Sequence, residues 1–114
     1  MKEQIFDSQR FLQSLADDME LARELLAAFL EDSPERNKSL AEALQAGDID
    51  AASRLAHSLK GMCGVIRAER LVNLALNMEQ AAKNNDLEKT KKLFEDFDAN
   101  LTKAHEEIHT FVED

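Results

Sequence analysis

His57, Lys60, Gly61 and Gly64 share one face of a helical pattern, and the combination suits a phosphoryl acceptor. At about 100° per residue, Ala52, Leu55, Ala56, Leu59, Met62, Cys63 and Ile66 form a broad apolar side, and His57 points almost directly away from its centre. Ser53, Arg54, Lys60, Gly61 and Gly64 fall within roughly 60° of His57 on the same reckoning. A neutral imidazole nitrogen is a competent nucleophile near pH 7. An ammonium one turn away offsets negative charge arriving at the ring, and phosphoryl transfer asks for little beyond positioning and charge stabilisation. The glycines add a steric argument. Each costs about 0.5–1 kcal/mol against alanine inside a helix. An exposed site accepts alanine, glutamate or lysine freely, so two such losses beside one imidazole point to a surface kept flat for another molecule. Two plainer readings compete: a lone surface histidine commonly has no role, and glycines can serve helix packing. Packing glycines, however, face a core, and these face away from it.

A second pattern also carries chemistry. His105-Glu106-Glu107-Ile108-His109 matches H-E-x-x-H, which on a helix can place two histidines on zinc with the glutamate as general base. Its setting argues against a metalloprotease. Only five residues follow it, which leaves little room for a third ligand downstream, and no strand pattern exists to hold a peptide substrate. The histidine pair is expected at most to take up a divalent metal adventitiously, and no metal site is assigned.

The run His57-Ser58-Leu59-Lys60-Gly61, preceded by Leu55-Ala56 and followed by Gly64, Leu71 and Met78-Glu79, resembles the signature of the histidine-containing phosphotransfer domain of bacterial and fungal phosphorelays. Phe29-Leu30-Glu31-Asp32-Ser33-Pro34-Glu35 and Ala46-Gly47-Asp48 also match the family's habits, so the resemblance covers nearly the whole chain. It implies that His57 carries a phosphoryl group exchanged with an aspartate on a response-regulator receiver domain. By the same resemblance Lys60 helps with the phosphoryl charge, and Gly61 and Gly64 clear space for the receiver. The expected partners are receiver domains, a hybrid sensor kinase, or both. The chain has neither the clustered acidic residues nor the nucleotide-binding glycine loop that would bind Mg²⁺ or ATP unaided. It is therefore expected to be a carrier rather than an enzyme, with no intrinsic cofactor, and with Mg²⁺ and the catalytic groups on the partner receiver. The alternative is a non-phosphorylated helical adaptor that binds a partner through the same surface.

Two positions depart from the family's pattern. Arg67 stands where glycine is usual near the end of the histidine helix, and a non-glycine residue enters the left-handed conformation favoured there only at a cost. Met62 replaces a small residue on the core side, where gap-filling is its expected use.

The elements that must position His57 read as helices throughout. Asp7 is a candidate cap for a short helix to about Leu15, with Phe6 and Phe11 at the spacing of a hydrophobic staple. Asp17 is a candidate cap for the next, whose stripe is Met19, Ala22, Leu25, Leu26 and Phe29. Leu21 and Ala28 fall off that stripe and could form an apolar docking patch next to the histidine helix, or pack on the short first helix. Ser33-Pro34 is expected to divide or bend a long helical arm, after which Asn37, Leu40, Ala41 and Leu44 face inward. Gly47-Asp48-Ile49 ends that arm and caps the histidine helix. Asn84-Asn85-Asp86-Leu87 repeats the device later, with Asp86 as cap. Between them Ala68, Leu71, Val72, Ala75, Met78 and Ala82 make a stripe flanked by Glu79, for which an ion pair or a helix-end contact is the default. Leu87, Thr90, Phe94, Phe97, Leu101, Ala104, Ile108 and Phe111 alternate spacings of three and four, the seam of a final helix. The pattern predicts an all-α fold, an antiparallel up-down four-helix bundle with one or two additional short N-terminal helices.

Composition agrees. With 114 residues, 44% of them hydrophobic, three glycines, one proline and neither tryptophan nor tyrosine, the chain (residues 1–114) reads as one helical domain. The formal net charge of −9 argues against a nucleic-acid partner, which clustered Lys and Arg would carry. Cys63 is the only cysteine and lies on the buried side, so it reads as a small core residue. No apolar run approaches the 18 or so residues of a membrane span, and Met1-Lys2-Glu3-Gln4 opens nothing like a signal peptide. A cytoplasmic monomer without membrane contact is the expectation, although the last seam is also compatible with a dimer.

Overall fold

Tight turns and aspartate caps set the architecture. Gly47, at φ +74°, closes one helix, and the Asp48 carboxylate accepts the Ala51 amide at 3.1 Å to open the next. Asn85 takes the same left-handed role at φ +57°, with Asp86 accepting the Lys89 amide. Between these two turns Arg67 sits at φ +62°, the position where glycine would be free of strain; an L-residue there costs about 1 kcal/mol. The computed structural model describes residues 4–113. Residues 1–3, part of the stretch read above for a targeting signal, and residue 114 lie outside that range. The helices are α1 (Ser8–Ser14), α2 (Met19–Ala46), α3 (Ile49–Val65), α4 (Glu69–Lys83) and α5 (Leu87–Glu113), with no strand among the described residues.

Helices α2 to α5 form the expected up-down bundle: α3 packs between α2 and α4, α4 also packs on α5, and α5 returns to α2. Ser33 meets His105 and Asn37 meets Asp98, a descending series that makes α2 and α5 antiparallel. At about 1.5 Å per residue, the 28 residues of α2 account for the 41 Å long axis of the molecule. Phe11, Leu26, Leu40, Leu59, Ile66, Leu71, Met78, Phe97 and Ile108 are fully buried along the axis. Met62 packs half-buried against this core. Met19, placed on the α2 stripe by periodicity, is instead 39% exposed, because it is the first helical residue beyond the cap.

Two local expectations are corrected. The cap of α2 is Asp18, which accepts the Leu21 amide at 3.1 Å; Asp17 is the second of two left-handed residues, after Ala16, and cannot also cap. Ser33-Pro34 does not divide the arm, since α2 runs through Pro34 unbroken. Proline deprives the Leu30 carbonyl of its amide donor, but Pro34 is exposed, so the freed carbonyl lies on the solvent side of the helix. Ser33 does not cap either: its buried hydroxyl donates back to the Phe29 carbonyl at 2.6 Å.

The N-terminal segment is tied to the far end of the chain. Glu107 Oε1 accepts the amides of Ile5 and Phe6 at 2.9 and 2.8 Å, and the Phe6 ring lies 5.6 Å from Phe11 and 5.8 Å from Phe111. Among the described residues no helix is long and apolar enough to cross a membrane. Phe97 fills the centre of the bundle with no exposed surface. Phe97→Ala is expected to destabilise the fold by about 3–5 kcal/mol, read as a lower urea midpoint at unchanged slope.

Candidate functional site

The α3–α4 hairpin turns about Ala68, and residues equidistant from that turn come face to face. His57 and Glu79 each lie eleven positions from Ala68, and they meet: His57 Nδ1 is 3.0 Å from Glu79 Oε2. The Lys60 ammonium donates to Glu79 Oε1 at 2.9 Å, and Lys83, one turn along α4, reaches Oε2 at 3.2 Å. Glu79 is 5% exposed, whereas the His57 side chain is 66% exposed. A buried carboxylate therefore gathers three donors under a ring that remains open to solvent.

The charges decide the tautomer. The Lys60 hydrogen bond, with Lys83 behind it, outweighs the opposing effect of burial and holds the Glu79 carboxyl at about 2. Glu79 is therefore ionised at neutral pH and can only accept, so Nδ1 of His57 carries the proton and donates it. In the neutral ring Nε2 is then the lone-pair nitrogen, directed away from the carboxylate. Two ammoniums against one carboxylate leave the cluster net positive, on a chain whose formal charge is −9. It is a local cationic island suited to an incoming phosphoryl group.

The surroundings are flat. Apart from its chain neighbours and the adjacent backbone of its own helix, a Cβ built on Gly61 or Gly64 would meet no atom within 4 Å, so neither glycine is needed for internal packing. Arg54 is exposed and Ser53 half-buried on the turn before His57. Leu21 and Ala28 lie elsewhere. The Arg36 guanidinium donates to Ser58 and fixes the register of α2 against α3. Leu21 and Ala28 then stand about 22 and 12 Å along α2 from that level, toward the C-terminal end of α3. Both are exposed, Leu21 by 38%. Val65, which sequence reasoning passed over, is 51% exposed near that same end. Reading the sequence also missed the meeting of Glu79 with His57. The Glu79–Lys83 pair, four apart on one helix, was a visible signal for the charge cluster, and the hairpin's symmetry about Ala68 was the signal for the partner.

The zinc-like motif resolves into structural roles. His105 Nε2 is 2.8 Å from the buried Ser33 hydroxyl and its ring stands edge-on to Phe29; burial, with His109 nearby, lowers its pKa. Glu107 holds the N-terminal segment, and Glu106 and His109 are exposed. No group of three or more His, Cys, Asp or Glu side chains among the described residues could hold a metal ion. Burial pushes the Cys63 thiol up to about 12, which keeps it a neutral core residue.

With an all-helical bundle and an exposed histidine poised over a cationic cluster, comparison with known proteins gives the class directly. The chain belongs to the Hpt domain family, which matches residues 24–110, and it is a histidine phosphotransfer domain of the kind used in phosphorelays. Its fold is similar to that of histidine-containing phosphotransfer protein B (HptB) from Pseudomonas aeruginosa PAO1, known from a crystal structure. The two share 32% sequence identity and superpose with a TM-score of 0.85, over 96% of this chain and 95% of that one. No curated protein sequence matches the chain.

The lowered Glu79 pKa makes part of the stability depend on pH. A carboxylate depressed from 4.5 to about 2 contributes stability that is fully present above about pH 5 and is lost as the pH falls through about 2. Glu79→Gln is expected to lower stability at pH 7 by on the order of 2–3 kcal/mol. Urea midpoints measured from pH 7 downward should show the gap to the parent chain narrowing below pH 5 and closing near pH 2.

Proposed function

We propose that the chain is a phosphorelay carrier that accepts a phosphoryl group on His57 Nε2 from a receiver-domain aspartyl phosphate and passes it to another receiver. The observation that carries this reading is the 3.0 Å contact between His57 Nδ1 and the ionised Glu79. The Nε2 lone pair attacks phosphorus, the bond from phosphorus to the aspartyl oxygen breaks, and the aspartate leaves as a carboxylate. No proton has to move. The ring becomes a phosphoimidazolium that keeps its Nδ1 proton, and the Glu79 carboxylate stabilises its positive charge. In the reverse direction the same proton stays on Nδ1, and neutral imidazole is the leaving group. Glu79 is therefore a positioning residue that serves both directions equally, as a relay requires.

Lys60 and Lys83 oppose the negative charge of the bound phosphoryl group, Lys60 from the buried side. Gly61 and Gly64 leave the space a receiver needs to bring its aspartate into line with Nε2. The receiver supplies Mg²⁺ and the remaining catalytic groups, and the carrier works as a monomer in the cytoplasm.

Incubation with a phosphorylated receiver domain and Mg²⁺ tests the reading, with the product examined by mass spectrometry for acid-labile, alkali-stable phosphate. Label is expected on His57 of the parent chain and absent from His57→Gln, which is expected to keep its fold because His57 is exposed. Lys60→Ala should slow transfer about tenfold, the equivalent of about 1.4 kcal/mol of charge stabilisation. If His57→Gln kept full activity in the relay, the adaptor reading would replace this one.

A further inference from the structure

Beyond the phosphoryl-accepting cluster, the His57 face continues into a groove at the C-terminal end of α3. The groove, about 470 Å³, is lined by Arg10, Gly64, Arg67, Glu69, Val72 and Asn73. Gly64 links it to the nucleophile, since it lies seven residues from His57, roughly 20° away around the helix and about 10 Å along it. Two of the charged side chains in the groove satisfy each other: Arg10 and Glu69 pair at 2.6 Å. The Arg67 guanidinium does not take part. It is exposed and makes no hydrogen bond or ion pair with any described residue.

Arg67 is also held where arginine is not favoured. Its backbone is at φ +62°, closed by its amide on the Gly64 carbonyl at 3.1 Å, and glycine would occupy that conformation without strain. Nothing among the described residues offsets the difference. An unpaired cation, fixed by a tight turn on the face that carries the nucleophile, is placed to meet something outside the chain.

We propose that Arg67 is a specificity residue for phosphotransfer, engaging a carboxylate on the docked receiver domain at the rim of the interface centred on His57. The inference rests on the carrier reading above. Geometry places the contact within reach of the docked area. A protein interface of ordinary size covers about 800 Å² per partner, a disc of roughly 16 Å radius, and the groove begins about 10 Å from His57. Charge favours the assignment. On a chain of net charge −9 an acidic receiver surface is repelled in general, so a free guanidinium at the rim selects receivers that carry a carboxylate at the matching place. Arg54, exposed on the turn before His57, sits on the other side of the nucleophile, so the pair also sets the direction in which a receiver lies across α3.

The test uses the full chain and the receiver domain that labels it in the experiment above. Second-order rate constants and saturating rates of transfer are measured for the parent, Arg67→Gly and Arg67→Glu, at low ionic strength and again at about 1 M salt, where screening acts over roughly 3 Å. Arg67→Gly should lower the second-order rate constant about fivefold at low salt and Arg67→Glu at least tenfold, with saturating rates unchanged and the differences vanishing at high salt. Thermal unfolding should show Arg67→Gly to be more stable than the parent, because glycine relieves the turn. A more stable Arg67→Gly with the parent's rate constant at low salt would overturn the proposal and leave Arg67 with no part in docking. Absence of label on the parent chain from any receiver is a different result: it removes the carrier reading, and this inference with it.

Discussion

The ionised carboxylate of Glu79 is the interaction on which the site depends. It is nearly buried, and a buried carboxylate is tolerated only when its charge is answered. Lys60 from α3 and Lys83 from α4 answer it, and His57 takes the remaining acceptor position. This one group fixes the imidazole's tautomer, restrains its rotation and anchors the ammonium that stands next to the incoming phosphoryl group. Because the lysines hold the carboxyl at about 2, the carboxylate stays charged across the whole neutral range. The bundle's task is to keep α3 and α4 in the register that lets Glu79 reach both His57 and Lys60.

That register comes from the turn between the two helices and from the core beneath them. Ala56, Leu59 and Cys63 on α3, with Ala75 and Met78 on α4, are fully buried. Their small and medium side chains bring the helices close enough for a glutamate to span from one to the other. Helices α2 and α5 close the bundle from behind, and the Arg36–Ser58 contact ties α2 to the residue next to the nucleophile. The short N-terminal helix and the segment before it cover the opposite end of α5 through Glu107 and three phenylalanines. They add stability remote from the chemistry.

Much of this could be read from residues alone, for identifiable reasons. Amphipathic periods survive intact in a bundle whose helices each bury one side, so the stripes on α3, α4 and α5 were legible. So were the turns at Gly47 and Asn85, where residue type and left-handed geometry agree. Ser33-Pro34 does not end the helix because α2 is long, packs on α3 and α5, and has the affected carbonyl on its outer side. The cap at Asp18 was displaced by one residue, since two aspartates in a row compete and only the backbone path selects between them. Glu79 was the largest omission. Its place beside the apolar stripe suggested an ion pair or helix-end contact with no partner named, but its contact with His57 is tertiary, set by two helices meeting at one level.

The central claim is that Glu79 holds the Nδ1 proton of His57 and leaves Nε2 as the acceptor. Nuclear magnetic resonance on chain carrying ¹⁵N-labelled histidine, before and after phosphorylation by a receiver, tests it most directly. The account predicts an Nδ1–H tautomer in the free protein and phosphorus–nitrogen coupling to Nε2 in the phosphorylated one. Phosphorus on Nδ1, or an Nε2–H tautomer in the free chain, would contradict it.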